Sequence, residues 1–223
     1  METGFNRIDA AEAEWLWNRR PPKSEPQVAS LLPGGYDRYL RVFHPFKPWV
    51  VRDLPSPTWR QLAERLHVTY GAALMWEDLE PVLPSSAGGR PYSVEEGELD
   101  RRQLGSLLRD LVENNNPIFF YFGLASVVAT SNHEPLCFRG TIESLEKVKE
   151  VVDDLAQQHV CGPEYLWDEN KNWIICTDYD LVSTYIACNG QAAKRVLSDM
   201  ELEAVEVEPS TPLSKRGRDG VSG

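Results

Sequence analysis

Cysteine, histidine and methionine are scarce in this chain, and none of them falls in a spacing that a familiar chemistry requires. Of 223 residues, four are Cys and three are Met, with four His. Cys137, Cys161, Cys176 and Cys188 make no C-x-x-C pair, so the usual spacing of a zinc knuckle or a redox dithiol is missing. His159-Val160-Cys161 taken with Cys176 and Cys188 matches no common zinc pattern either. There is no G-x-S-x-G elbow to raise a serine nucleophile. Neither G-x-G-x-x-G nor G-x-x-x-x-G-K-S/T is present to cradle phosphate. No N-x-Ser/Thr sequon occurs, and the opening Met1-Glu2-Thr3-Gly4 has no apolar signal core. The longest apolar run, residues 118–129, is too short to cross a bilayer. These absences set the expectation of a cytoplasmic protein with reduced thiols, no cofactor and no membrane span.

Basic charge is also in short supply. Lys and Arg number 23 against 34 Asp and Glu, a net charge of −11. Residues 141–208 carry 15 acids and only 5 bases, so nearly all of the excess lies in that third. Such a surface repels phosphate backbones and anionic lipid, which disfavours nucleic acid and membrane as partners. A basic protein, a cation or a neutral small molecule remain. What is abundant is ordinary globular material: 42% hydrophobic and 26% charged residues, with seven Trp, enough for a sizeable core.

Periodicity predicts an α+β fold, an antiparallel or mixed sheet with helices packed mainly on one side. Asp9 reads as the N-cap of a helix over residues 9–20 that Pro21-Pro22 ends. Residues 36–43 read as a strand added at the edge of the sheet, and the two prolines of His44-Pro45-Phe46-Lys47-Pro48 should close that strand. Helices are expected from Ser56-Pro57-Thr58 to about His67, over 99–112, over 144–158 and after Asn189-Gly190. In the 99–112 helix, Leu104, Leu107, Leu108 and Leu111 recur at i, i+3, i+4 and i+7. Strands are expected over 118–124, 135–139, 184–188 and 204–207. Residues 165–167 and 173–177 should form a hairpin around Asp168 to Asn172. Consecutive strands without crossovers imply antiparallel neighbours. The organisation that follows is an N-terminal helix and linker (1–30), a single α+β domain (31–208) with a possible subdomain boundary near 84–97, and a disordered tail (209–223).

The candidate site residues gather in one region: Trp167, Asp168, Trp173, Asp178, Tyr179, Asp180, Ser183 and Tyr185. Trp and Tyr beside carboxylates make good anchors for a partner protein. Asp178 and Asp180 stand two apart, so in an extended segment both carboxylates share a face and are weak candidates for a divalent cation. The commoner role for Asp at a strand end is to bind its own backbone amides, and for buried Trp it is core packing.

Two blocks carry a resemblance. They are Leu31-Leu32-Pro33-Gly34-Gly35-Tyr36 with Arg41-Val42-Phe43-His44-Pro45, and Trp167…Trp173…Thr177-Asp178-Tyr179-Asp180…Ser183-Thr184-Tyr185…Leu197-Ser198-Asp199…Leu202-Glu203-Ala204. Both are similar to a group of uncharacterised soluble bacterial proteins, mostly from actinomycete-type genomes, over most of residues 31–207. The chain departs from that pattern at Cys188-Asn189-Gly190, where members tend to carry a small-residue turn. The resemblance implies a bacterial cytoplasmic origin and transfers no catalytic residue. From its acidic, aromatic-bearing α+β character, the first functional expectation is a non-catalytic acidic interaction module, immunity-like or regulatory, that binds a basic partner protein. The alternatives are a divalent-cation-dependent enzyme using Asp178 and Asp180, and a small-molecule-binding sensory domain.

Overall fold

A computed structural model describes residues 4–19, 26–48, 55–83, 91–113, 116–123 and 134–213, and the statements below concern these. Residues 84–90 of the expected boundary near 84–97 lie outside them, as do residues 214–223 of the expected tail. In chain order the strands are β1 (Phe5–Ile8), β2 (Arg38–Phe43), β3 (Phe46–Pro48), β4 (Tyr92–Val94), β5 (Ile118–Phe122), β6 (Leu136–Gly140), β7 (Tyr165–Asp168), β8 (Trp173–Cys176), β9 (Ser183–Cys188) and β10 (Ala204–Val207). The helices are α1 (Glu14–Asn18), α2 (Val28–Leu31), α3 (Trp59–Arg65), α4 (Trp76–Leu79), α5 (Arg101–Leu111), α6 (Leu145–Ala156) and α7 (Gly190–Ser198). No described helix is long and apolar enough to cross a membrane.

Eight strands form one sheet in the order β1-β6-β5-β7-β8-β9-β2-β10, and every neighbouring pair is antiparallel. The expected α+β class is what the chain adopts. β5, β7, β8 and β9 are buried at every position, because both faces of the sheet are covered. On one face lie the three longest helices. Leu107, Leu108 and Leu111 of α5, Val148 and Val152 of α6, and Ala192, Ala193 and Val196 of α7 pack on Leu40, Phe120, Phe138, Leu166, Ile175 and Ile186. These positions recur at helical spacing on one side and every second residue on the other, the two periods that bring flat surfaces together.

The second face is covered by short N-terminal segments. Asp9 caps a 3-10 turn through its side chain, as the sequence indicates. The short α1 that follows sets Trp15 edge-on to Trp167 at 5.9 Å, while Phe119 stacks on Trp167 at 5.2 Å. β1 hydrogen-bonds to β6 at the sheet edge. Residues 209–213, expected to begin a disordered tail, are instead tied down. Val28 N donates to Thr211 O at 2.9 Å and Leu213 N donates to Pro26 O at 3.0 Å. The backbone groups of this segment find partners in the stretch before α2, which orders it.

Two further placements differ from expectation. β2 is not peripheral: it sits between β9 and β10, buried from Tyr39 to Phe43. Its residues are apolar on one face, Leu40 and Val42, and on the other Tyr39 and Arg41 find partners of their own. The prolines after it do not end extended structure either. β3 pairs with β4 in a separate two-stranded sheet, Phe46 opposite Val94 and Pro48 opposite Tyr92, a short edge where a missing N–H costs little. This small sheet shares an aromatic cluster with α3. Phe43 and Phe46 both lie 4.9 Å from the Trp59 ring.

The core assignments give a direct comparison. Trp167 is 1% exposed and Tyr179 is 44% exposed. Trp167→Ala should lower unfolding stability by about 3–5 kcal/mol, and Tyr179→Ala by no more than about 0.5 kcal/mol, both read by urea titration with circular dichroism.

Candidate functional site

The register of the β7–β8 hairpin decides what the expected site residues do. Trp167 pairs with Ile174, so Trp173, one residue away, faces the other side of the sheet. Trp167 is buried under α1, and Trp173 under the helices of the opposite face. They do not line one pocket. Asp168 is 3% exposed and clamps the turn. Its Oδ1 accepts from Asn172 N at 2.6 Å and Trp173 N at 3.2 Å, and its Oδ2 accepts from Asn172 Nδ2 at 2.8 Å. Lys171 adopts φ 57° in that turn.

Ser183 and Tyr185 are buried on the α1 face. Ser183 Oγ accepts from Arg41 Nε at 2.8 Å, and Arg41 also donates to Leu74 O at 2.5 Å and Ala72 O at 3.2 Å. The guanidinium lies 4.3 Å from the Phe43 ring and 5.8 Å from the Tyr185 ring. This buried cation ties the 72–74 segment to the sheet, where two carbonyls and two ring faces replace its hydration. Asp178 and Asp180 do not extend the strand. Asp178 Oδ1 accepts from Asp180 N at 3.0 Å, and Asp178 O accepts from Leu181 N at 3.0 Å, an Asx turn in which the Asp178 carboxylate bonds its own backbone. Among the described residues, no group of three or more His, Cys, Asp or Glu is placed to hold a metal ion. Of the eight expected residues, only Asp178, Tyr179 and Asp180 sit together at the surface.

Beside that turn lies a cleft of about 250 Å³. Its apolar floor and walls are Leu99, Leu104, Leu145, Pro163 and Leu166, and Thr177 contributes a hydroxyl-bearing side chain. Its charged lining is Lys47, Glu95, Glu98, Asp100, Arg101, Glu146 and Lys149. The elements supplying it are the segment before α5, the start of α6, the turn before β7 and the end of β8. The segment is held against the Asp178–Asp180 turn by Gly97, whose N–H donates to Leu181 O at 3.0 Å. Gly97 has φ +73°, and a Cβ there would stand 2.8 Å from the Tyr179 Cα. Only glycine permits both this backbone conformation and the approach.

The cations of the cleft are already matched. Lys47 pairs with Glu95, Arg101 with Glu146 at 3.1 Å, and Lys149 with Asp153 at 3.6 Å while donating to Val160 O at 2.6 Å. Acids outnumber them at the rim. Glu98 and Asp100 lie in the lining, Glu98 3.7 Å from His159 Nε2 and Asp100 accepting from Arg102 N at 2.9 Å, and at the neighbouring turn Asp180, Asp178 and Glu164 each raise the pKa of the Tyr179 phenol, Asp180 most. Cys161 feels the same field. Burial first, then Glu98, pushes its thiol up, which makes it a poor nucleophile.

Behind the floor runs a chain of hydroxyls. Thr177 and Thr184, cross-strand neighbours at the ends of β8 and β9, have their Oγ1 atoms 2.9 Å apart. Thr184 Oγ1 is 3.0 Å from His44 Nε2, and His44 Nδ1 is 2.8 Å from Glu95 O. His44 is fully buried. Burial, aided by the nearby Arg41 and Lys47 charges, lowers its pKa from 6.5 to about 4, so the ring is neutral at physiological pH. Nothing in the sequence places His44 behind Thr177. The contact spans 140 residues and leaves no local signal. Among the described residues, hollows of about 410 Å³ by Trp59 and Glu203 and about 290 Å³ by Asp168 and Trp173 also occur. Glu203 is engaged there in capping α3, accepting from Trp59 N and Arg60 N at 2.7 Å each, and Asp168 is engaged in its turn.

Residues 110–215 match a family described as "Protein of unknown function (DUF2711)". The match runs from the end of α5 through β10, so it includes the β7–β9 region and the α6 and Thr177 side of the cleft. This part of the chain is therefore similar to an uncharacterised family. No curated protein and no solved structure matches the chain.

Two outcomes test this description. Gly97→Ala should lose about 1–3 kcal/mol of stability, seen in urea unfolding, because the segment must leave the Asp178–Asp180 turn. For His44 the unfolded chain takes up a proton near pH 6.5 and the folded chain only near pH 4. Stability from this group is complete above 6.5 and falls as pH drops from 6.5 to 4, by roughly 3 kcal/mol. His44→Gln should remove that slope, so its unfolding free energy, measured across the window, should change less with pH than that of the wild type.

Proposed function

We propose that this protein is a non-catalytic binding module of the bacterial cytoplasm, immunity-like or regulatory, that receives a basic side chain of a partner protein in the cleft above Thr177. The observation that carries this reading is the combination of an apolar floor, Leu104, Leu145 and Leu166, with a rim where acids exceed cations that are themselves already paired. A group with an aliphatic stem and a positive head, lysine or arginine, fits both halves: the stem covers leucine surface and the head meets the acids. Size favours a side chain over a free metabolite. A volume of about 250 Å³ falls below the roughly 300–1,000 Å³ typical of small-molecule sites. The enzyme reading draws less support, since the Asp178 carboxylate is engaged with the Asp180 backbone in an Asx turn.

Calorimetric titration with a short arginine-rich peptide and with its glutamate counterpart tests this. The basic peptide should bind and the acidic one should not. Affinity should fall at least tenfold in about 1 M salt, where the Debye length is about 3 Å. Glu98→Lys should weaken binding about fivefold or more, because a like charge then faces the ligand. Binding that ignores both salt and Glu98 would defeat the reading.

A further inference from the structure

The hydrogen-bond chain behind the cleft has only one self-consistent direction. Glu95 O is a carbonyl and can only accept, so His44 Nδ1, 2.8 Å away, carries the ring proton. In a neutral imidazole the other nitrogen is then an acceptor. The partner of Nε2 is Thr184 Oγ1 at 3.0 Å, so the Thr184 hydroxyl donates to it and its one hydrogen is spent. Thr177 Oγ1 lies 2.9 Å from Thr184 Oγ1, and the hydrogen between them must therefore come from Thr177. We propose that this buried chain turns Thr177 into an acceptor-only group, so that the cleft it lines selects ligands bearing an N–H donor, ammonium or guanidinium, over equally charged ligands that lack one.

The inference rests on the reading of the cleft as a cation site and adds a basis for choice within it. The acids of the rim respond to charge alone and would take any cation. Thr177, 8% exposed and flanked by Leu166 in the lining, adds a directional requirement. Because a threonine hydroxyl ordinarily rotates to donate or accept as the ligand demands, the selectivity comes from the residues behind it. His44 and Thr184 are thus positioning residues, and Thr177 is the one that meets the ligand. The arrangement follows from β2 and β9 lying side by side with Val42 opposite Thr184, which sets His44 just past the strand end against the Thr184 side chain.

The test compares n-butylammonium with n-butyltrimethylammonium, probes of equal charge and similar stem that differ in N–H donors. Binding is followed by NMR titration of the full chain. The wild type should prefer the primary ammonium by at least about tenfold, the scale of one hydrogen bond to a charged group. Thr177→Val should abolish that preference while retaining the quaternary probe, and Thr177→Ser should keep it. A preference that survives in Thr177→Val would come from steric fit and would overturn the proposal. Equal binding of both probes by the wild type would overturn it too, while leaving the cation site standing. Binding of neither would remove the cation site and this inference with it. Independently of any variant, ¹⁵N shifts of His44 should show a protonated Nδ1 and a bare Nε2; the opposite tautomer would reverse the chain and refute the proposal.

Discussion

The pairing of β2 with β9 is the contact on which the rest of this structure depends. It joins residues 38–43 to 183–188 in a six-residue antiparallel register, across a sequence separation that is costly to close. It also brings buried polar groups of the two segments together. Arg41 reaches Ser183 on one face of the sheet, and His44 reaches Thr184 on the other. Because buried polar groups are expensive when unpaired, these cross-strand bonds discriminate against slipped registers. A shift by one residue would leave a guanidinium and an imidazole in apolar surroundings without acceptors.

That pairing sets the position of the second, smaller sheet. β3 leaves β2 after a single corner, and Phe43, Phe46 and Trp59 close over it. The Trp59 Nε1 donates to His44 O at 2.7 Å, fixing the corner from the outer side. β4, paired with β3, then delivers Glu95 to His44 and Gly97 to the Asp178–Asp180 turn. The cleft wall formed by Lys47 and residues 95–97 is thus placed by way of this strand pair.

Much of this was legible in the residues. The helices α5, α6 and α7 and the strands β5 to β10 follow from apolar period and from breakers such as Gly140, Gly162-Pro163 and Asn189-Gly190. The hairpin was readable because five polar residues separate two apolar runs. Less was legible about the site. Trp167 and Trp173 drew attention as a pair, yet register sends them to opposite faces. Asp168 and Ser183 looked available and are spent on a turn and on Arg41. Only the Asp178–Asp180 segment stood where the surface chemistry is, and it borders a cleft whose other walls, near residues 95–104 and 145–166, gave no motif.

The amino-acid sequence alone determined the class of fold, the negative charge and the helices and strands of the second half, because each is written in composition or in periods of two and 3.6 residues. Tertiary structure alone decided the place of β2 inside the sheet, the neutral His44 behind Thr177 and the cleft itself. Those depend on contacts between residues more than a hundred positions apart, and no local pattern encodes which distant strand a given strand will meet.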